Sequence, residues 1–114
     1  MAELREINLE VGMPIAADAV RRLTFEIHHS KALGFTALKL IHGYGSSGKG
    51  GKIRIAARER LQFLAGKREI RSYICGEDFS IFDEPTRQAF LRCGELRRDR
   101  DLDRHNNGVT FVIL

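Results

Sequence analysis

Apolar residues recur along this chain with two periods, and the switches between them mark its elements. Leu4, Ile7 and Leu9 read as a short first strand over Leu4–Leu9. Gly12 to Pro14 turns the chain, and proline suits the first turn of a helix, where its missing N–H is not needed. Ala16, Val20, Leu23 and Ile27 then repeat at three- and four-residue spacing. This spacing predicts an amphipathic helix over about Pro14–Leu33, capped by Gly34. Thr36–Ile41 is mostly apolar and reads as a buried second strand. A second helical spacing covers about Gly51–Ala65, with Ile53, Ala56, Ala57, Leu61 and Leu64 on one face and Gly66 as its end. Arg68–Cys75 reads as a third strand. Val109–Leu114, apolar except for Thr110, reads as a last strand that is central or covered on both faces.

The long segment Gly76–Gly108 separates the last two strands and reads as an insertion. Asp83-Glu84-Pro85 opens a short helix that carries Phe90 and Leu91 and stops at Gly94. Leu96 to His105 is nearly all charge and reads as a mobile loop. The order βαβα-β-(insertion)-β predicts an α/β two-layer sandwich with a mixed four-stranded sheet. Right-handed crossovers place both main helices on one face. The 114 residues suit a single domain, 1–114.

Charge changes this picture more by its distribution than by its sum, which is +4. From Lys39 to Arg71 only Glu59 and Glu69 oppose a series of cations that includes Lys49, Lys52, Arg54 and Arg58. Such a basic middle suits a polyanionic partner. No apolar run is long enough for a membrane span, and Met1–Glu6 lacks the build of a signal peptide. Cys75 and Cys93 have no metal-ligand spacing, so two reduced thiols and a cytoplasmic location are expected. His28 and His29 are adjacent on a helix, about 100° apart, and read as surface residues rather than a metal site.

The candidate chemistry lies in Ala37 to Arg54, where an apolar run reaches His42 and a glycine-dense loop opens into a basic helix. Glycine lets a backbone approach a ligand closely, and a helix start presents unpaired N–H groups. Gly43-Tyr44-Gly45-Ser46-Ser47-Gly48 matches a dinucleotide-binding spacing, but the acidic residue that such a site needs after its next strand is missing. A nucleoside-triphosphate loop needs a hydroxyl after its lysine, and Gly50 stands there. Neither reading calls for a cofactor here.

The run Leu40-Ile41-His42-Gly43-Tyr44-Gly45, with Gly48 to Gly51 and a helix behind it, resembles the Smr domain, the small domain at the C-terminus of MutS2-type proteins. The resemblance extends from Ile7 to about Ile74 and again over Val109–Leu114. It implies an α/β sandwich and contact with DNA or RNA. The family is associated with DNA nicking or RNA cleavage, and its first motif, of Leu-Asp-x-His type, is implicated in that chemistry. This chain departs there. In Ile7-Asn8-Leu9-Glu10, Asn8 replaces the acid, Glu10 replaces the histidine, and Val11 is inserted.

The expected function is therefore nucleic-acid binding through Gly43, Tyr44, Gly45, Lys49, Gly50, Gly51, Lys52 and Arg54. Tyr44 would stack on a base. The alternative is a DNA-nicking or RNA-cleaving endonuclease with His42 and Glu10 as catalytic residues, and a divalent metal would enter only with that alternative. A second alternative is a protein-interaction module built on the charged part of the insertion.

Overall fold

The fold follows from strands that bury both faces and helices that bury one. The computed structural model describes residues 3–44 and 49–114, without the side chains of 49 and 50. Strand β1 is Leu4–Asn8, helix α1 Ala16–Ala32, strand β2 Ala37–Ile41 and helix α2 Lys49–Gly66. Strand β3, Ser72–Cys75, helix α3, Glu84–Arg92, and strand β4, Val109–Ile113, follow. Among the described residues the sheet has four strands in the order β1-β2-β4-β3, with β1 parallel to β2 and β4 antiparallel to both β2 and β3. The mixed sheet and the two main helices agree with the sequence reading.

Alternation along the strands sorts their side chains to two cores. Ile7, Leu38, Leu40 and Val112 meet Ala19, Leu23 and Ile27 of α1 and Ile53, Ala57, Leu61 and Leu64 of α2. Both main helices therefore lie on one face, as right-handed crossovers require. On the other face Ala37, Ile74, Phe111 and Ile113 meet Phe79, Ala89, Phe90, Cys93 and Leu96. The segment 76–108 is thus a second cover for the sheet. Both neighbours of β4 are paired and both of its faces are filled, which explains why every residue of it is buried.

Several boundaries differ from the apolar pattern; helix α1 starts at Ala16, after Ile15 as its N-cap, and not at Pro14, and β1 ends at Asn8. Helix α2 begins two residues before Gly51, at Lys49. Its end is set by Arg68 and not by Gly66: Arg68 takes the left-handed backbone region at φ 62°, and the Glu69 N–H closes the last turn on the Leu64 carbonyl. Residues 68 and 69 belong to that closure, and β3 runs from Ser72, with the Arg71 N–H already bonded to the Ile113 carbonyl of β4. Leu96 to His105, read above as a mobile loop, is packed down. Leu96 is fully buried, and Gly94–Arg98 forms a 3₁₀ turn beneath the sheet. Asp101 is buried too, turned inward to Lys39 of β2, whose ammonium lies 3.0 Å from Asp99 Oδ1 and 2.6 Å from Asp101 Oδ2.

Helix α3 starts where the sequence places it. Asp83 is its N-cap, and its carboxylate accepts from the Thr86 N–H at 3.1 Å and the Thr86 hydroxyl at 2.8 Å. Asp83→Ala removes both bonds and is expected to lower stability by about 1 kcal/mol. Urea unfolding of the two proteins, compared at one pH, measures it. Cys75 and Cys93 are both free thiols. No described helix is long and apolar enough to cross a membrane.

Candidate functional site

Three connections converge at the end of the sheet where β1 and β2 finish and β4 begins. The Leu9 N–H donates to the Ile41 carbonyl, which extends the β1–β2 pairing one residue past β1. The Asn8 side chain then accepts from the Glu10 N–H at 2.9 Å, and the Met13 N–H closes on the Glu10 carbonyl. Asn8 is therefore a turn-builder, a role its short amide suits. The turn leans Glu10 over Gly43: a methyl group added at Gly43 would lie 2.6 Å from Glu10 Oε2. Gly43 also sits in the left-handed region at φ 74°, and it is this backbone conformation that favours glycine there, since the Glu10 carboxylate ends a flexible side chain that can give way. The third connection arrives with Gly108, whose carbonyl accepts from both the His42 and the Gly43 N–H groups at 3.0 Å.

His42 is fully buried beneath these connections. Its Nδ1 lies 2.7 Å from the Gly43 carbonyl and its Nε2 lies 2.8 Å from Thr110 Oγ1. A carbonyl only accepts, so Nδ1 carries the proton and Nε2 is the acceptor. The Thr110 hydroxyl completes the chain: it accepts the Arg58 Nε–H at 3.0 Å and turns its own proton to His42. This arrangement holds the imidazole neutral. Burial pushes its pKa down to about 4; the Gly43 carbonyl opposes that, and the Arg58 and Arg54 charges add to it. Arg58 is fixed in turn by a two-pronged pair with Glu77, at 2.9 and 2.8 Å. Burial raises the Glu77 carboxyl, but the bonds from Arg58 and the Arg54 charge hold it below the ordinary carboxylate range.

The residues singled out by the sequence fall into three groups. Glu10, His42, Gly43 and Tyr44 come together; Tyr44 is 57% exposed and packs beside Gly108. Lys52 and Arg54 lie in the first turns of α2, Lys52 exposed and Arg54 half-buried, and no acidic residue stands in the first turn. Gly51 is part of the same turn. Gly45 lies outside the described residues, and Lys49 and Gly50 are described only as helix backbone. Among the described residues no three His, Cys, Asp or Glu side chains form a group that could hold a metal ion.

Sequence reasoning missed the partners of His42, namely Thr110, Arg58 and Glu77. One signal was present: Thr110 is the sole polar residue of the last strand.

No protein-family model and no curated protein matches the sequence. Among solved structures, the Smr domain of MutS2 from Thermus thermophilus superposes with a TM-score of 0.58 at 24% identity, over 96% of each chain. The fold is that of an Smr domain. In this Smr-like chain the His-Gly-x-Gly histidine is a buried strut: it joins the end of β2 to β4 and, through Thr110 and Arg58, to α2.

Proposed function

We propose that this Smr-like domain binds nucleic acid at the end of the sheet where β1 and β2 finish. The observation that carries the reading is the start of α2. A glycine-dense loop leads directly into a helix whose first turns bear Lys52 and Arg54 and no acid. A helix N-terminus attracts phosphate, and two cations on its first turns strengthen that attraction. Ligands of α/β folds also gather beyond the carboxyl ends of parallel strands, and β1 and β2 are such a pair. The fold shared with a MutS2 domain supports the same reading.

Binding without efficient cleavage is the form we favour. A general base needs a nitrogen that can meet the substrate, and both nitrogens of His42 are engaged inside the protein. Asn8, in place of the family acid, is engaged in a turn. We assign His42 the part of holding Gly43 in position.

Phosphate contacts release counterions, so affinity falls linearly with salt on logarithmic axes. Replacing Lys49, Lys52 and Arg54 together by Ala is expected to weaken binding about tenfold or more at low salt and to flatten that slope by up to about 3. Fluorescence anisotropy with labelled DNA and RNA strands over a salt series measures both. A variant that binds as the parent does would remove the start of α2 from the interface.

A further inference from the structure

On the sheet face away from α1 and α2, at the same end of the sheet, lies a cavity of about 180 Å³. Its floor is Ile41 and Val109, a directly opposed pair on β2 and β4. Gly43, Tyr44 and Gly108 bound it at the sheet end. Arg100, Asp101 and Asn106 bring the segment 76–108 against it, beside Lys39. A cavity of about 150 Å³ is enough to hold benzene. One flat heterocycle therefore fits here, and a sugar with its phosphate stays outside.

The walls suit such a ring on its face and at its edge. The apolar floor suits the face, and so does Tyr44. Its ring rests on Gly108, where an added methyl group would lie 3.1 Å from Cδ1. Aromatic rings stack on bases of any kind. The polar wall suits the edge. Asp101 Oδ1 accepts from the Asn106 amide at 3.1 Å, and Oδ2 pairs with Lys39 at 2.6 Å. A carboxylate can accept about four hydrogen bonds, so Asp101 keeps capacity for the N–H groups of a base. Arg100 is exposed, and among the described residues its side chain makes no hydrogen bond or ion pair.

We propose that this cavity receives one unstacked nucleobase, with Tyr44 against its face, Asp101 at its edge and Arg100 on the neighbouring phosphate. The preferred ligand is then a single strand, in which a base is freed at least cost. This rests on the nucleic-acid reading above, adds the ligand class, and gives the segment 76–108 a share in the site.

The test compares an eight-nucleotide DNA strand with a strand of equal length built from abasic nucleotides, which keeps the phosphates and lacks every base. The parent is expected to bind the strand with bases about tenfold more tightly. In amide NMR of the parent, that strand is expected to shift Ile41, Asp101 and Asn106, and the abasic strand to leave them in place. Tyr44→Leu, and Ile41→Phe with its fold checked by thermal melting, are expected to bring the two affinities within about threefold. Arg100→Ala is expected to weaken both strands by a similar factor and to reduce the salt slope by about 1. A parent without preference, or a preference with the cavity amides unmoved, overturns the base site and leaves nucleic-acid binding standing. Loss of preference in Tyr44→Leu but not in a folded Ile41→Phe puts the base on the ring outside the cavity, and overturns it too. An Arg100→Ala protein with the parent's affinity and slope removes Arg100 from the site. A parent that binds neither strand overturns both readings.

Discussion

Lys39→Met is expected to lower the unfolding free energy by about 3–5 kcal/mol at neutral pH, the range for breaking one side of a buried ion pair. Lys39 is 3% exposed, and its ammonium sits between Asp99 and Asp101. Burial alone would lower its pKa, but the hydrogen bonds it donates to Asp101 and Asp99, and the charges of those carboxylates, outweigh this and raise it. Burial likewise pushes Asp101 up, while Lys39 and the Asn106 amide hold it below its ordinary value. The raised lysine gives stability that fades only as pH rises through the alkaline range, and the depressed Asp101 gives stability that fades only below the ordinary carboxylate range. At neutral pH Lys39 and Asp101 are both charged and their pair is intact. Methionine fills the volume but leaves two carboxylates facing each other without a cation. A domain of this size has a total stability of about 5–15 kcal/mol, so the variant stands near unfolding. Adding Asp99→Asn and Asp101→Asn is expected to recover part of the loss, and urea unfolding of the three proteins measures it. The damage also reaches the binding end. Asp101 accepts from Asn106, whose side chain accepts the Gly108 N–H, and the Gly108 carbonyl holds Gly43.

The second large effect is acid sensitivity centred on His42. Its folded pKa of about 4 lies below the ordinary value of 6.5. The unfolded chain therefore binds the extra proton first as pH falls, and the folded state resists it. The stability tied to the neutral ring is complete above about pH 6.5 and is lost progressively down to about pH 4, a total of about 3 kcal/mol. Asp101 and Glu77, both depressed, lose their contributions from their ordinary values of 3.8 and 4.5 downward, so the interval from pH 6.5 to 4.5 is dominated by His42 and only its acid end overlaps with theirs. The parent is expected to lose stability steadily across this interval. His42→Gln is less stable at neutral pH, with a flatter dependence between about pH 6.5 and 4. Thermal or urea unfolding at several pH values checks it, and equal slopes in the two proteins would place the titration elsewhere.

Helix and strand positions were legible because apolar spacing dictates them where one face is buried. The second cover of the sheet was not. Its anchors Phe79, Phe90, Cys93 and Leu96 follow no single period, and the charges of Leu96 to His105 disguise two carboxylates that are turned inward. Lys39 and Thr110 each stand as a lone polar residue in an apolar strand, which is the visible trace of a buried network. Their partners could not be read. Lys39 finds Asp99 60 residues away and His42 finds Thr110 68 residues away, and no local rule spans such distances. Glu10 lies beside Gly43 although the two stand far apart in sequence. The turn that achieves it depends on Asn8, whose departure from the family acid looked like a simple loss.

Strand order also governs how the domain is made. Strand β4 lies between β2 and β3, although it is the last of the four to be synthesised. Until Val109–Ile113 has left the ribosome, β2 and β3 have no common partner, and each presents an open edge with apolar faces. Strand β4 pairs with β2 and β3 through contacts far apart in sequence, which slows folding. During that interval the nascent chain is at its most prone to pair with another. The arrival of β4 joins β3 to the rest of the sheet, and it also delivers Thr110 to His42.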